Sequence, residues 1–96
     1  MSYQTIDHIA DTEVTEDDVL VVRSSEAGHL YPGFKGGRVY TVHSLASLQS
    51  STPRRIFLGR LGNSRQAWDI RAWAEAQLDK GAELYRLYED GTVVGT

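Results

Sequence analysis

Gly33-Phe34-Lys35-Gly36-Gly37-Arg38-Val39-Tyr40-Thr41-Val42 is the plainest loop-to-strand junction in the chain. Its glycines can adopt φ > 0 without steric penalty, and the β-branched and aromatic run that follows suits a pleated, half-buried surface. A strand over Arg38–Leu45 is expected after this turn. Upstream lies one more strand with its approach; downstream lie a strand, a helix and a hairpin. That succession defines an α+β domain.

Working upstream, Thr15-Glu16-Asp17-Asp18 has the chemistry of a helix cap, but Val19–Arg23 follows at once and holds three valines, so a strand is expected. The unbroken Val19–Val22 run implies burial on both faces, or on one face beside a covered edge. Ser24–Gly28 ends it as a loop, and Tyr31-Pro32-Gly33 marks a turn. Residues 3–8 read as an edge strand. Downstream, Ala46–Pro53 is serine-rich and polar and is expected to be a mobile loop. Arg54–Leu61 is the third strand, built on Ile56-Phe57-Leu58. A helix over 64–80 follows, with Asn63 as N-cap and Gln66 three residues on, as in a capping box. Its inward stripe is Ala67, Ile70, Trp73, Ala74, Gln77 and Leu78; Lys80 and Gly81 suit its end. Glu83–Tyr88 and Thr92–Val94 form a hairpin around Glu89-Asp90-Gly91, because Asp-Gly is a strong turn signal.

The expected fold is one small domain, residues 1–96. It has an antiparallel sheet of about four to six strands, either open or curled into a small barrel, with the helix packed on it and the hairpin at the end. Val21, Val39, Ile56 and Leu58 are expected to meet Ile70, Trp73 and Leu78, with Leu84 and Leu87 added by the hairpin. A chain of this length buries about 60–65% of its unfolded surface, so the core is thin. Apolar residues make up 41% and charged residues 24%, which is globular usage and not that of a disordered chain. Val19–Val22 is far short of the roughly 20 apolar residues that cross a bilayer. Met1–Thr5 shows no basic patch leading into an apolar stretch, so no secretory signal is expected. Cysteine is absent, which removes disulfides and thiolate metal sites and fits a cytoplasmic protein.

Net charge is −3, yet the charges are segregated. Residues 1–32 carry seven acids (Asp7, Asp11, Glu13, Glu16, Asp17, Asp18, Glu26) against Arg23. Residues 33–72 carry seven bases (Lys35, Arg38, Arg54, Arg55, Arg60, Arg65, Arg71) against Asp69. Such blocks either make opposed faces or neutralise each other in the fold.

Catalytic signatures are weak. His8, His29 and His43 are the natural candidates for proton transfer near neutral pH, but their spacings match no helical ligand pair. His43 and Ser44 are adjacent on an expected strand and would point to opposite faces. Asp17-Asp18 and Glu89-Asp90 suit solvated turns better than a hard-cation site, which needs several spaced oxygens. Gly33-x-x-Gly36-Gly37 lacks the Lys-Ser/Thr pair and the following helix of a phosphate loop. No cofactor or metal is expected.

The strongest functional lead is the basic and aromatic set: Arg38, Arg54, Arg55, Arg60 and Arg65 with Tyr31, Phe34 and Trp68. Arginine beside exposed aromatics makes up protein hot spots and nucleic-acid sites alike. The sequence pI near 5.5 weighs against a dedicated nucleic-acid binder, whose affinity rests on neutralising phosphates. Trp68 and Trp73 lie about 140° apart around a helix. Trp73 is therefore expected inside, and Trp68 either partly exposed, where beside Arg65 it would be a contact anchor, or packed on the preceding strand.

Asp17-Asp18-Val19-Leu20-Val21-Val22 and Gly37-Arg38-Val39-Tyr40-Thr41-Val42 resemble the first two strands of the SH3-like small barrels of short phage and bacterial proteins. Arg55–Leu61 fits the third strand. Asp17 stands where that pattern has glycine, and helix 64–80 replaces the usual short 3₁₀ turn and last strand. The strands ending in Arg54-Arg55-Ile56-Phe57-Leu58-Gly59 more faintly resemble the arm-type DNA-binding domain of phage integrases. Both resemblances imply a small binding module of a mobile element, by fold analogy. The expectation is a non-enzymatic interaction protein, a phage-type accessory or inhibitor that docks on a host or viral protein. The alternative is a small nucleic-acid-binding module using the basic 35–65 face.

Overall fold

The strand β1 (Asp18–Val22) is buried at every residue, as an unbroken apolar run requires when both faces of a sheet are covered. The computed structural model describes residues 8–95. Within it, β1 joins β2 (Arg38–Thr41), β3 (Arg55–Leu58), β4 (Glu83–Leu87) and β5 (Val93–Gly95) in one sheet. The spatial order is β2-β1-β3-β4-β5. β1 runs parallel to β2 and to β3, β3 runs parallel to β4, and β4–β5 is the antiparallel pair. The fold is α+β with one mixed sheet, but the expected antiparallel sheet is corrected to a mostly parallel one, and it is open instead of curled into a barrel, with β2 and β5 as its edges.

The connections explain the correction. Parallel neighbours need a crossover of about a dozen residues or more, and segments 23–37, 42–54 and 59–82 all supply one. Segment 88–92 is short and makes the hairpin expected from Asp90-Gly91. Two crossovers carry α-helices, α1 (Leu45–Gln49) and α2 (Arg65–Leu78). α1 corrects the expected loop over Ala46–Pro53: Leu45 and Leu48 lie three apart and turn one apolar edge inward, with Leu48 fully buried. It also ends the second strand at Thr41, short of Leu45. α2 is capped by Ser64, whose hydroxyl accepts from the Ala67 amide at 3.2 Å, so the cap falls one residue after Asn63.

Two apolar layers sandwich the sheet. Val19, Val21, Ile56 and Leu84 face Leu48, Ala67, Ile70, Trp73 and Ala74 of the helices. On the other face, Leu20, Val22, Phe57, Tyr85 and Leu87 meet Ile9, Tyr31 and Phe34. There, residues 25–30 form a 3₁₀ helix and residues 9–11 a single 3₁₀ turn. Phe57 sits between Phe34, edge-on at 5.5 Å, and Tyr85, stacked at 5.3 Å. Such contacts add about 0.5–1.5 kcal/mol each beyond area burial. Val39 and Leu78 are exposed at 50% and 40%, which corrects their expected place in the core. Val39 lies on an edge strand, and Leu78 on the last turn of α2. Of the expected strand over 3–8, residues 3–7 lie outside the described residues, and His8 bridges to Thr92.

The glycine-rich turn before β2 works as expected. Gly36 has φ +96°, and a Cβ there would sit 2.8 Å from the Val14 carbonyl oxygen, so no other residue fits without displacing backbone.

At the amino-terminal edge of the sheet, Asp18, Arg55 and Glu83 are register neighbours on three parallel strands. Arg55 Nε and Nη2 donate to the two Asp18 carboxylate oxygens at 2.7 and 2.6 Å. Nη2 also donates to the Glu13 carbonyl at 2.7 Å, and the Thr15 amide donates to Asp18 at 2.8 Å. Asp18 is fully buried and Arg55 only 7% exposed. The bond to Asp18 raises the Arg55 pKa against the opposing effect of burial. Nearby, the Tyr85 hydroxyl donates to Glu83; burial first, then that carboxylate, pushes the Tyr85 pKa up to about 12.

Removing one partner of a buried ion pair strands the other, at about 3–5 kcal/mol. Asp18→Ala is therefore expected to lower unfolding free energy by about that amount, measured by urea denaturation at neutral pH. Tyr85 gives a pH signature. Above pH 10 the unfolded tyrosine releases its proton while the folded one keeps it, so stability falls as pH rises towards 12. The loss is about 2–3 kcal/mol across that window. Tyr85→Phe is expected to remove this share of the alkaline decline when the two proteins are titrated side by side.

Candidate interaction surface

α2 owes its stability to Ala67, Ala72, Ala74 and Ala76, good helix formers, and to its Ser64 cap. Ala67, Ile70, Trp73, Ala74 and Gln77 are buried along one stripe. The helical repeat then turns Trp68 outward, as expected, at 61% exposure. The Arg71 guanidinium lies 5.0 Å from the Trp68 ring centroid. Its Nη2 donates to the Gly62 carbonyl at 2.9 Å, and its Nη1 is buried without a partner. Arg71 thus ties the helix to the β3–α2 loop and holds one face of the indole. Arg65, one turn before Trp68, is exposed. An indole fixed by a neighbouring cation loses little freedom on contact, which favours it as an anchor.

The other expected contact residues separate. Arg38 and Arg54 are exposed at the amino-terminal edge of the sheet, at the starts of β2 and β3. Arg60 follows β3 at the carboxyl edge, about 20 Å from Arg54 by the strand rise. Three residues are corrected from surface to interior. Arg55 is spent on Asp18. Phe34 packs on Phe57. Tyr31 is 5% exposed, and its hydroxyl accepts from the Arg60 amide at 2.7 Å. A Cβ on Gly59 would come within 2.8 Å of the Tyr31 ring, so glycine is required where loop and strand touch. The charge blocks also meet. Asp18 pairs with Arg55, and the Arg54 amide donates to the Asp17 carbonyl at 2.8 Å, which brings the acidic and basic segments together at that edge.

At the carboxyl ends of β3 and β4 the surface opens into a cavity of about 450 Å³. Tyr31, Gly59 and Leu87 line it together with Arg60, Arg86, Tyr88, Glu89, Asp90 and Thr92. Arg60 and Glu89 approach at 4.0 Å. The Arg86 guanidinium lies 5.5 Å from the Tyr88 ring centroid. The Asp90 carboxylate accepts from the Thr92 amide at 2.9 Å, a bond that lowers its pKa. Beyond this wall His8 Nδ1 accepts from the Ala10 amide at 3.1 Å, which leaves Nε2 to donate to the Asp90 carbonyl at 3.1 Å. Among the described residues no three histidine or acidic side chains gather as a metal site. None of the described helices is long and apolar enough to cross a membrane.

Arg71, Arg86 and Tyr88 were not singled out by the sequence. The i, i+3 spacing of Trp68 and Arg71 was a usable signal. The meeting of Arg86 and Arg60 at one cavity was not, because it depends on β4 lying parallel beside β3. No family model matches the chain, and no curated protein or solved structure matches it either.

Tyr31→Phe keeps the ring but leaves the Arg60 amide without its acceptor. An unfolding free energy lower by about 1–3 kcal/mol is expected from denaturant titration.

Proposed function

We propose that this chain is a non-enzymatic interaction protein, an accessory or inhibitor that docks on another protein through the outer face of α2. Trp68 is the anchor and Arg65 its charged flank. The observation that carries this reading is the large exposure of Trp68 with one indole face held by Arg71. Tryptophan and arginine dominate the energetics of protein interfaces, and both stand together on this face of α2. The mobile-element setting rests on the two sequence resemblances alone.

The separation of the basic residues favours protein over nucleic acid. A phosphate backbone is gripped by a continuous basic track. Here Arg54 and Arg60 stand at opposite edges of the sheet, and Arg55 is committed to Asp18.

The test is affinity purification of the tagged protein, with and without nuclease, alongside Trp68→Ala and Arg38→Glu. A stoichiometric, nuclease-resistant partner is expected, retained by Arg38→Glu and weakened about 30-fold by Trp68→Ala, as for a hot-spot truncation of about 2 kcal/mol. A partner retained by Trp68→Ala at full strength, or one that vanishes with nuclease, overturns the reading.

A further inference from the structure

The cavity at the carboxyl ends of β3 and β4 is not used by the α2 face. In open sheets with parallel strands, ligands bind in the crevice outside the carboxyl ends of the strands. Here the cavity lies outside the carboxyl ends of the parallel neighbours β3 and β4, next to the position where β1 sends its crossover to the layer of Tyr31 and Phe57 and β3 sends α2 to the other. The Arg23 amide donates to the Arg60 carbonyl at 3.1 Å, which joins β1 to β3 and fixes the Arg60 backbone at the edge of the cavity. The cavity is an open cleft of about 450 Å³ with Arg60, Arg86, Tyr88 and Glu89 exposed along it, a volume within the range of small-molecule sites.

Its lining is chemically mixed in a way that narrows the occupant. Arg86 has no carboxylate partner among the described residues, and Arg60 has only a 4.0 Å approach to Glu89. Both guanidinium forks are therefore available to an anion. Tyr88 is 44% exposed, leaving ring surface for stacking. Glu89 is an acceptor for hydroxyl or amino donors, while Asp90 is turned into its own turn by the Thr92 amide. A ligand that satisfies this set needs an anionic head, a planar face and hydrogen-bond donors together. The two arginines are balanced by two carboxylates, which disfavours a long polyanion. The geometry points to a nucleoside monophosphate: phosphate between Arg60 and Arg86, base against Tyr88, ribose or base donors towards Glu89.

The test is protein-observed NMR with ¹⁵N-labelled full chain, titrated with AMP, GMP, CMP and UMP, and separately with inorganic phosphate and the parent nucleosides. At least one monophosphate is expected to bind with Kd at or below about 1 mM. It should shift the amides of Gly59, Arg60 and Tyr88–Thr92, and bind at least about tenfold more tightly than phosphate or nucleoside alone. Arg86→Gln and Tyr88→Ala are surface changes and should each weaken binding about tenfold or more, with the remaining spectrum unchanged. No shifts at about 5 mM ligand, where even a weak site fills, overturn the assignment. So do shifts confined to α2, or equal binding of phosphate and monophosphate. Loss of partner capture by Trp68→Ala, with nucleotide shifts intact, would separate the two surfaces.

Discussion

The Asp18–Arg55 pair is the constraint on which the rest of the structure depends. It crosses from β1 to β3 at the amino-terminal edge and fixes their register. Through the Glu13 carbonyl and the Thr15 amide it also draws segment 13–15 onto the sheet. Val14, which packs against the second apolar layer, is positioned by the same bonds. A buried ion pair is a poor source of net stability when compared with an apolar substitute. A one-residue slip of β3 would turn Arg55 to the other face of the sheet and leave the buried Asp18 carboxylate without its partner.

Much of the fold was legible because its signals are local. The valine run of β1, the alanine-rich stripe of α2 and Asp90-Gly91 are short-range patterns, and each element formed where those patterns lie. Strand direction was not legible in the same way. It hinges on whether residues 42–54 cross over or turn back, and the only helix there, α1, is five residues long. Its Leu45 and Leu48 are set in a serine-rich stretch that reads as loop. With α1 hidden, the alternation of strand and helix that marks a parallel sheet was hidden too. Asn63 and Ser64 are both good caps, and the choice between them is made by backbone geometry that residue type leaves open.

The candidate surface divides along the same line. Trp68 was legible because helical geometry alone sends it and Trp73 to different sides. Tyr31, Phe34 and Arg55 were misjudged for one shared reason: aromatic and arginine side chains serve interiors and interfaces with the same chemistry. Tertiary placement decides which, and here the aromatics fill the layer that the 3₁₀ helix 25–30 is too short to cover. The grouping of Arg60 with Arg86 and Tyr88 came only from the parallel pairing of β3 with β4.

The bridge between His8 and Thr92, with the Ile9 amide donating to the Gly91 carbonyl at 2.8 Å, joins points at opposite ends of the described chain. Closing a loop that long directly carries a large entropic penalty. Once β1, β3 and β4 are assembled the same closure spans only a short free segment. The contact is therefore far less costly in the assembled sheet than in the open chain, and it sets residues 8–11 against the hairpin that walls the cavity.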